Sequence, residues 1–172
     1  MTRLIFSTAL TFVLAHLPTG PLAAQDHTTH SGHSAAPAAT NDSAVRALQQ
    51  RGRGTMGVDQ YASRHRFEDL RDGGRIELQM READSAAVAQ IRMHLQEIER
   101  DFREGRFTTP EATHAMTVPG TEVMARKQAR ITYTYRELPK GGEVRIRSRD
   151  REALAAIREF LAFQRSDHRT AD

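Results

Sequence analysis

At 172 residues and a net charge of +3, the chain has length for one domain plus a leader, and its charge balance names no partner by itself. It contains no cysteine, which excludes disulfides, thiol catalysis, iron–sulfur clusters and cysteine zinc sites. Stability in an oxidising compartment must then come from core packing or from a bound ligand.

Arg3 precedes an apolar run from Leu4 to Leu17, and Pro18, Gly20, Pro21 and small residues lead on to Ala24. This charged, apolar and small-residue order predicts a secretory signal over 1–24. The run falls short of the ~20 apolar residues of a comfortable membrane span, and no later stretch is apolar enough for one. The mature chain is therefore expected to be periplasmic or secreted, without a transmembrane segment. An uncleaved anchor is the rival reading, because Leu22 is a poor residue three before the cut.

Residues 25–55 read as a histidine-containing tail followed by a short helix. From Gln25 to about Asn41 the chain is small, polar and aperiodic, which predicts disorder. His27, His30 and His33 are its distinctive groups. Cleavage after Ala24 places His27 third behind a free amine, and an amine, two deprotonated amides and an imidazole make the square-planar nitrogen set preferred by Cu(II) or Ni(II). Cyclisation of Gln25 destroys that amine, and a plain solubilising leader explains the same composition. Beyond it, Asp42 caps a short helix carrying Ala44, Val45, Ala47 and Leu48, which is expected to end at Gly52 and Gly54.

Residues 56–172 carry a repeated ββα pattern, over about 63–104 and 131–168, with a connector over 105–130. In the first copy His65 and Phe67 share a face of a strand over Ser63–Leu70. After the turn RDGG, Ile76, Leu78 and Met80 alternate with Glu77, Gln79 and Arg81. Asp84 then caps a helix with Val88, Ile91, Leu95, Ile98 and Phe102 on one stripe, stopped by Gly105. In the second copy Ile131, Tyr133 and Tyr135 alternate with polar residues, LPKGG turns, and Val144 and Ile146 alternate with arginines. Asp150 caps a helix striped by Leu154, Ile157, Leu161 and Gln164. A lone hairpin is marginal in water, so the halves are expected to join as one four-stranded antiparallel sheet with two helices packed on one face, an α+β fold with internal pseudo-symmetry. In the connector, Thr109-Pro110-Glu111 predicts a short helix, Val118-Pro119-Gly120 a turn, and 121–130 a second short helix. A connector of this length is more often functional than ornamental.

Four histidines stand outside the signal and the tail: His65, His94, His114 in the connector, and His168. Strand parity turns His65 toward the helices, His94 borders the apolar stripe, and His168 follows Leu161 to the end of the last helix. Glu97 lies one turn beyond His94 and adds an oxygen ligand or orients an imidazole. Such a set suits copper or zinc with an open position. There is no HExxH, however, and core-edge histidines satisfied by carbonyls, with His168 at a favourable helix C-terminus, account for the same residues. Met80 and Met93 read as core filler rather than copper ligands.

Parity gathers Arg64, Arg66, Arg75, Arg81, Arg136, Arg145, Arg147 and Arg149 on the other sheet face, interspersed with Glu68, Glu77, Glu137 and Glu143. Cross-strand ion pairing is the simpler account. A platform for an anionic ligand, an anionic surface or a protein partner is the sharper one. Nucleic acid is not expected, since aromatic interleaving is missing from this face. No serine sits at a glycine-flanked elbow, so a hydrolytic triad is unsupported. The glycine pairs at the hairpins read as turn residues, not phosphate cradles.

The stretches MGVDQYASRHRF, RDGG, IRMHL, VPG with TEVMAR, ITYTY, KGGEVRI and FLAFQRSDHRT resemble a group of small exported bacterial proteins, across about Met56–Thr170. The resemblance implies export and brings no activity. In that group the first strand carries a pair of histidines and the first helix a second histidine one turn on. Arg66 and Glu97 stand at those positions here and leave a poorer set of nitrogen ligands. The resulting expectation is a small exported binding protein, leaning non-enzymatic, that takes a transition metal such as copper or zinc. An interaction module on the arginine-rich face is the alternative, and a small metal-dependent enzyme a third reading.

Overall fold

The structure is a computed structural model that describes residues 37–59 and 61–169, with side chains from Ser43 onward. The predicted signal and His27, His30 and His33 lie outside the described residues. Helix α1 spans Pro37–Met56, strands β1 and β2 span Ser63–Leu70 and Gly73–Met80, and α2 spans Ser85–Arg103. The connector holds α3 (Thr108–His114), α4 (Thr121–Arg126) and a 3-10 turn at Gln128–Arg130. Strands β3 (Ile131–Leu138) and β4 (Gly141–Ser148) precede α5 (Arg151–Asp167). Among the described residues no helix is long and apolar enough to cross a membrane.

The four strands form one antiparallel sheet in the order β1-β2-β4-β3, with α2 and α5 on one face. Strand alternation builds that face: Phe67, Ile76, Leu78, Ile131, Tyr133, Val144 and Ile146 point inward and are buried. Asp84 and Asp150 start the two helices in the same way, each carboxylate accepting from two amides of the first turn. Each helix then lies mainly over the hairpin of the other copy, α2 over β3 and β4, α5 over β1 and β2.

The glycine pairs do a different job from the one expected of them. The turns are made by Arg71-Asp72 and Pro139-Lys140, while Gly73-Gly74 and Gly141-Gly142 already belong to strands. They sit at opposite ends of the central β2–β4 seam, across from Ile146-Arg147 and Leu78-Gln79. A Cβ on Gly141 would lie 2.0 Å from the Leu78 carbonyl oxygen, and one on Gly74 would lie 2.1 Å from the Leu161 side chain of α5. Close approach across the seam and under a helix requires these glycines, and of the four only Gly73 has a φ in the left-handed range, +144°.

Helix α1 also departs from expectation. It starts at Pro37, inside the stretch read as a tail, and runs through Gly52 and Gly54 to Met56. Gly57, at φ +72°, supplies the stop. Tertiary contact outweighs the weak propensity of the glycines. Leu48 and Met56 are buried, the Arg51 Nε donates to the Thr113 carbonyl at 2.8 Å, and the Thr55 and Thr113 hydroxyls lie 2.9 Å apart. These contacts hold α1 against α3.

On the outer sheet face the register sets Arg66, Glu77, Glu143 and Arg136 side by side across the four strands, with Glu68, Arg75, Arg145 and Thr134 in the next row. Glu68 pairs with Arg66 and Arg75, and Glu143 with Arg75 and Arg136. Much of the arginine excess is thus neutralised within the sheet.

Candidate functional site

Equivalent positions of the two copies follow from the matched strands and the matched helix caps. Superposing Ser63–Leu70 on Ile131–Leu138 sets His65 against Tyr133, the counterpart that the sequence did not show. Superposing the helices from their aspartate caps sets His94 against Phe160, and Phe102 against His168. Because each helix covers the other hairpin, His168 meets His65 as Phe102 meets Tyr133. The ring centroids are 5.4 Å apart and stacked in the first pair, 5.8 Å apart and edge-on in the second. Histidines occupy on one side of the pseudo-symmetric core what aromatics occupy on the other.

On the histidine side lies a cavity of about 60 Å³, lined by His65 from β1, His94 from α2, His114 from α3, His168 at the end of α5, and Met56 at the end of α1. Its remaining walls are mainly apolar, from residues such as Phe67, Leu95, Ile98 and Phe160. The space suffices for a few waters or a small ligand. The structure brings together all four predicted histidines of the folded domain, each buried.

They are not equivalent. His114 is engaged at both nitrogens: its Nδ1–H donates to the Asp167 carboxylate at 2.5 Å, and its Nε2 lies 3.0 Å from the end of the Gln164 side-chain amide, whose NH2 group is the part that can donate to the Nε2 lone pair. With both nitrogens engaged, His114 acts as a support in the wall. His65 has the Met56 sulfur 3.2 Å from its Nε2. His94 and His168 make no side-chain hydrogen bond among the described residues. The His168 Nδ1 is a buried polar atom without a partner among the described residues. Leaving such a group unmatched costs about 1–3 kcal/mol, which a water or a ligand in the cavity would recover.

Electrostatics keep His65, His94 and His168 neutral. Burial pushes His65 down to about 4, with His94 nearby adding to the effect, and burial alone pushes His94 to about 4. His168 falls to about 3, through burial first and then the nearby His65 and His114, against an upward pull from Asp167. A helix C-terminus favours a cationic histidine, but desolvation outweighs that pull at His168. Neutral imidazoles are the form that binds metal, and no proton has to be displaced from them near neutral pH.

Position is fixed from several directions. The Arg165 guanidinium donates to the Phe67 carbonyl and to the Asp69 carboxylate, both at 2.8 Å, which ties the last turn of α5 to β1. Ala115, at φ +55°, ends α3 directly after His114, and a left-handed alanine costs roughly 1–2 kcal/mol that the surrounding packing must offset.

Glu97 faces solvent and lines no part of the cavity, so its expected role as ligand or orienting carboxylate has no support in the geometry. Among the described residues no three His, Asp or Glu groups stand ready to chelate one ion. Met80 is buried in the core and Met93 is half exposed, and neither lines the cavity. Sequence reasoning missed Met56, since ending the first helix at Gly52 left this residue in a linker. It also missed Asp167 as the partner of His114, although the adjacent DH pair was visible at the end of the last helix.

Comparison with known proteins adds no relative: no family, no curated protein and no solved structure matches the chain.

Proposed function

We propose that the chain is a small exported binding protein for a transition-metal ion, and that the ion enters the cavity between β1, α2, α3 and the end of α5. The observation that carries this reading is the set of three buried, neutral imidazoles, His65, His94 and His168, lining one cavity, where His94 and His168 make no side-chain hydrogen bond among the described residues and the His65 Nε2 meets only the Met56 thioether. The donor types fit copper or zinc. The ligands do not yet converge, so binding includes a rearrangement of side chains on fixed elements. His114, locked by Asp167 and Gln164, supports His168 from behind, the role that outer residues play around metal sites. The export expectation rests on the leader pattern of residues 1–24.

The test uses the full chain with His27, His30 and His33 replaced by alanine, which silences the tail. Calorimetric titration with Cu(I) under anaerobic conditions, and separately with Zn(II), is expected to show one ion per chain for at least one of the two. The change H65A/H168A is expected to abolish that binding. Absence of heat with both ions, or full retention in H65A/H168A, overturns the proposal.

The second reading, an anionic or protein partner on the arginine-rich face, draws on an open groove where Arg126, Arg130 and Arg149 stand without an ion pair among the described residues. Glu68 and Glu143 weaken it by neutralising the centre of the sheet face.

A further inference from the structure

We infer that the ion is Cu(I), and that the thioether of Met56 is one of its ligands beside His65 and a second cavity imidazole. This inference rests on the metal-binding reading above and specifies the ion and a ligand that the histidines alone do not.

Charge is the first argument. The residues lining the cavity include three histidines with free nitrogens and one methionine sulfur, and no aspartate or glutamate. All these donors are neutral, so an ion bound among them keeps its full charge within mainly apolar walls. The cost of burying a charge scales with its square, which makes a divalent ion about four times as expensive as a monovalent one in the same place. Many zinc sites answer this with thiolate or carboxylate, and those built on neutral imidazoles alone bring three of them to one ion. Here no carboxylate lines the cavity, and the nearby Asp167 carboxylate is taken up by His114.

Coordination number is the second. Structural and catalytic zinc asks for three or four protein ligands in tetrahedral array. No three His, Asp or Glu groups among the described residues are placed to provide them. Cu(I), a closed-shell soft ion, is satisfied by two or three ligands and favours thioether sulfur. One sulfur and two imidazoles meet that demand.

The third argument is placement. Of the methionines with described side chains, Met56 alone lines the cavity, and its sulfur already stands 3.2 Å from the His65 Nε2. It is put there by construction. Arg51 and Thr55 hold the end of α1 on Thr113, and Gly57, with its left-handed φ of +72°, lets the chain leave the helix at once and return as β1. A Cβ on Gly57 would lie 2.8 Å from the Gln90 side chain, so that exit also depends on a bare backbone. Helix α1 therefore delivers a soft ligand to the mouth of a neutral nitrogen site.

The experiment uses the tail-silenced full chain again. Cu(I) is titrated against a chromophoric Cu(I) chelator and Zn(II) against a zinc dye, for the parent and for M56L. Leucine conserves volume and is expected to keep the fold. M56L is expected to weaken Cu(I) roughly tenfold or more, the scale on which even outer residues act at metal sites, and to leave Zn(II) unchanged. Copper K-edge absorption on the parent chain is expected to show a sulfur neighbour. It needs no variant to fold, and a copper shell of nitrogen alone overturns the inference. So does tighter binding of Zn(II) than of Cu(I), which leaves the broader metal reading standing. Failure of both ions to bind removes both.

Discussion

The two halves of this domain are built from the same plan and have been filled differently. Around β3 and the end of α2, Tyr133, Phe102, Phe160 and Phe107 close into an aromatic cluster with centroids 4.4–6.4 Å apart. Around β1 and the end of α5, the equivalent positions hold His65, His168 and His94 and leave a cavity. One half spends its inward positions on packing and the other keeps polar rings in a place where polar rings are costly. The difference is what the proposed function rests on: a site that lowers stability persists when something binds there.

Acid should separate the halves most sharply. His65, His94 and His168 titrate near 6.5 in an unfolded chain and near 4, 4 and 3 in the fold. Above pH 6.5 they are neutral in both states and contribute no pH dependence. As pH falls below 6.5 the unfolded chain takes up protons that the folded chain refuses, so the metal-free protein loses about 1.4 kcal/mol per pH unit for each histidine, until its folded pKa is reached. Denaturant titrations between pH 7 and pH 4 measure this slope, and a flat profile breaks the contrast. In H168F the slope is expected to shrink by roughly a third, because one of the three titrating groups is gone.

On the packed side, F107A, at a buried ring that lines no part of the cavity, is expected to cost about 3–5 kcal/mol and leave metal affinity intact wherever the variant remains folded. Urea midpoints and a metal titration in parallel would check both parts. At the seam between the halves, G141A forces a methyl against the Leu78 carbonyl, and a loss of about 1–3 kcal/mol, the usual range of overpacking, is expected in thermal unfolding. A neutral result there would show that β2 and β4 can separate slightly at no cost.

Converting the histidine side toward its counterpart gives a smaller effect of opposite sign. H168F removes a buried unpaired nitrogen and fills part of the cavity, so a gain of about 1 kcal/mol is expected in calorimetric unfolding, together with weaker metal binding. Lower stability in H168F would mean that the cavity tolerates no aromatic and that the two sides differ in backbone as well as in side chains. Smallest of all, R66A on the outer face breaks one exposed pair with Glu68 at 2.7 Å and is expected to change stability by less than about 1 kcal/mol.

Much of the fold was legible because period and punctuation agree. Strand alternation placed Ser63–Leu70, and the aspartates before both long helices marked starts that the structure reproduces at Ser85 and Arg151. Local pattern could not show that α2 and α5 exchange hairpins, since that choice is settled by packing over the whole sheet. The same limit hid the Tyr133 counterpart of His65. It also explains α1, where Gly52 and Gly54 signal an end that contacts with Thr113 override. Of the site, parity supplied the inward direction of His65 and helix spacing that of His94. Which histidine keeps free nitrogens depended on Asp167 and Gln164 meeting His114 across about fifty residues of chain, a relation that no spacing encodes.

The exchange of helices between hairpins carries one last consequence. Were the two ββα units separate identical chains, a two-fold axis through the β2–β4 seam would repeat every residue, and a histidine-lined hollow on one side would compel a second on the other. Joining the units in a single polypeptide by residues 105–130 lifts that compulsion. Each half can then vary alone, and a protein of this size can anchor itself on one side while the other side is shaped as a histidine-lined hollow.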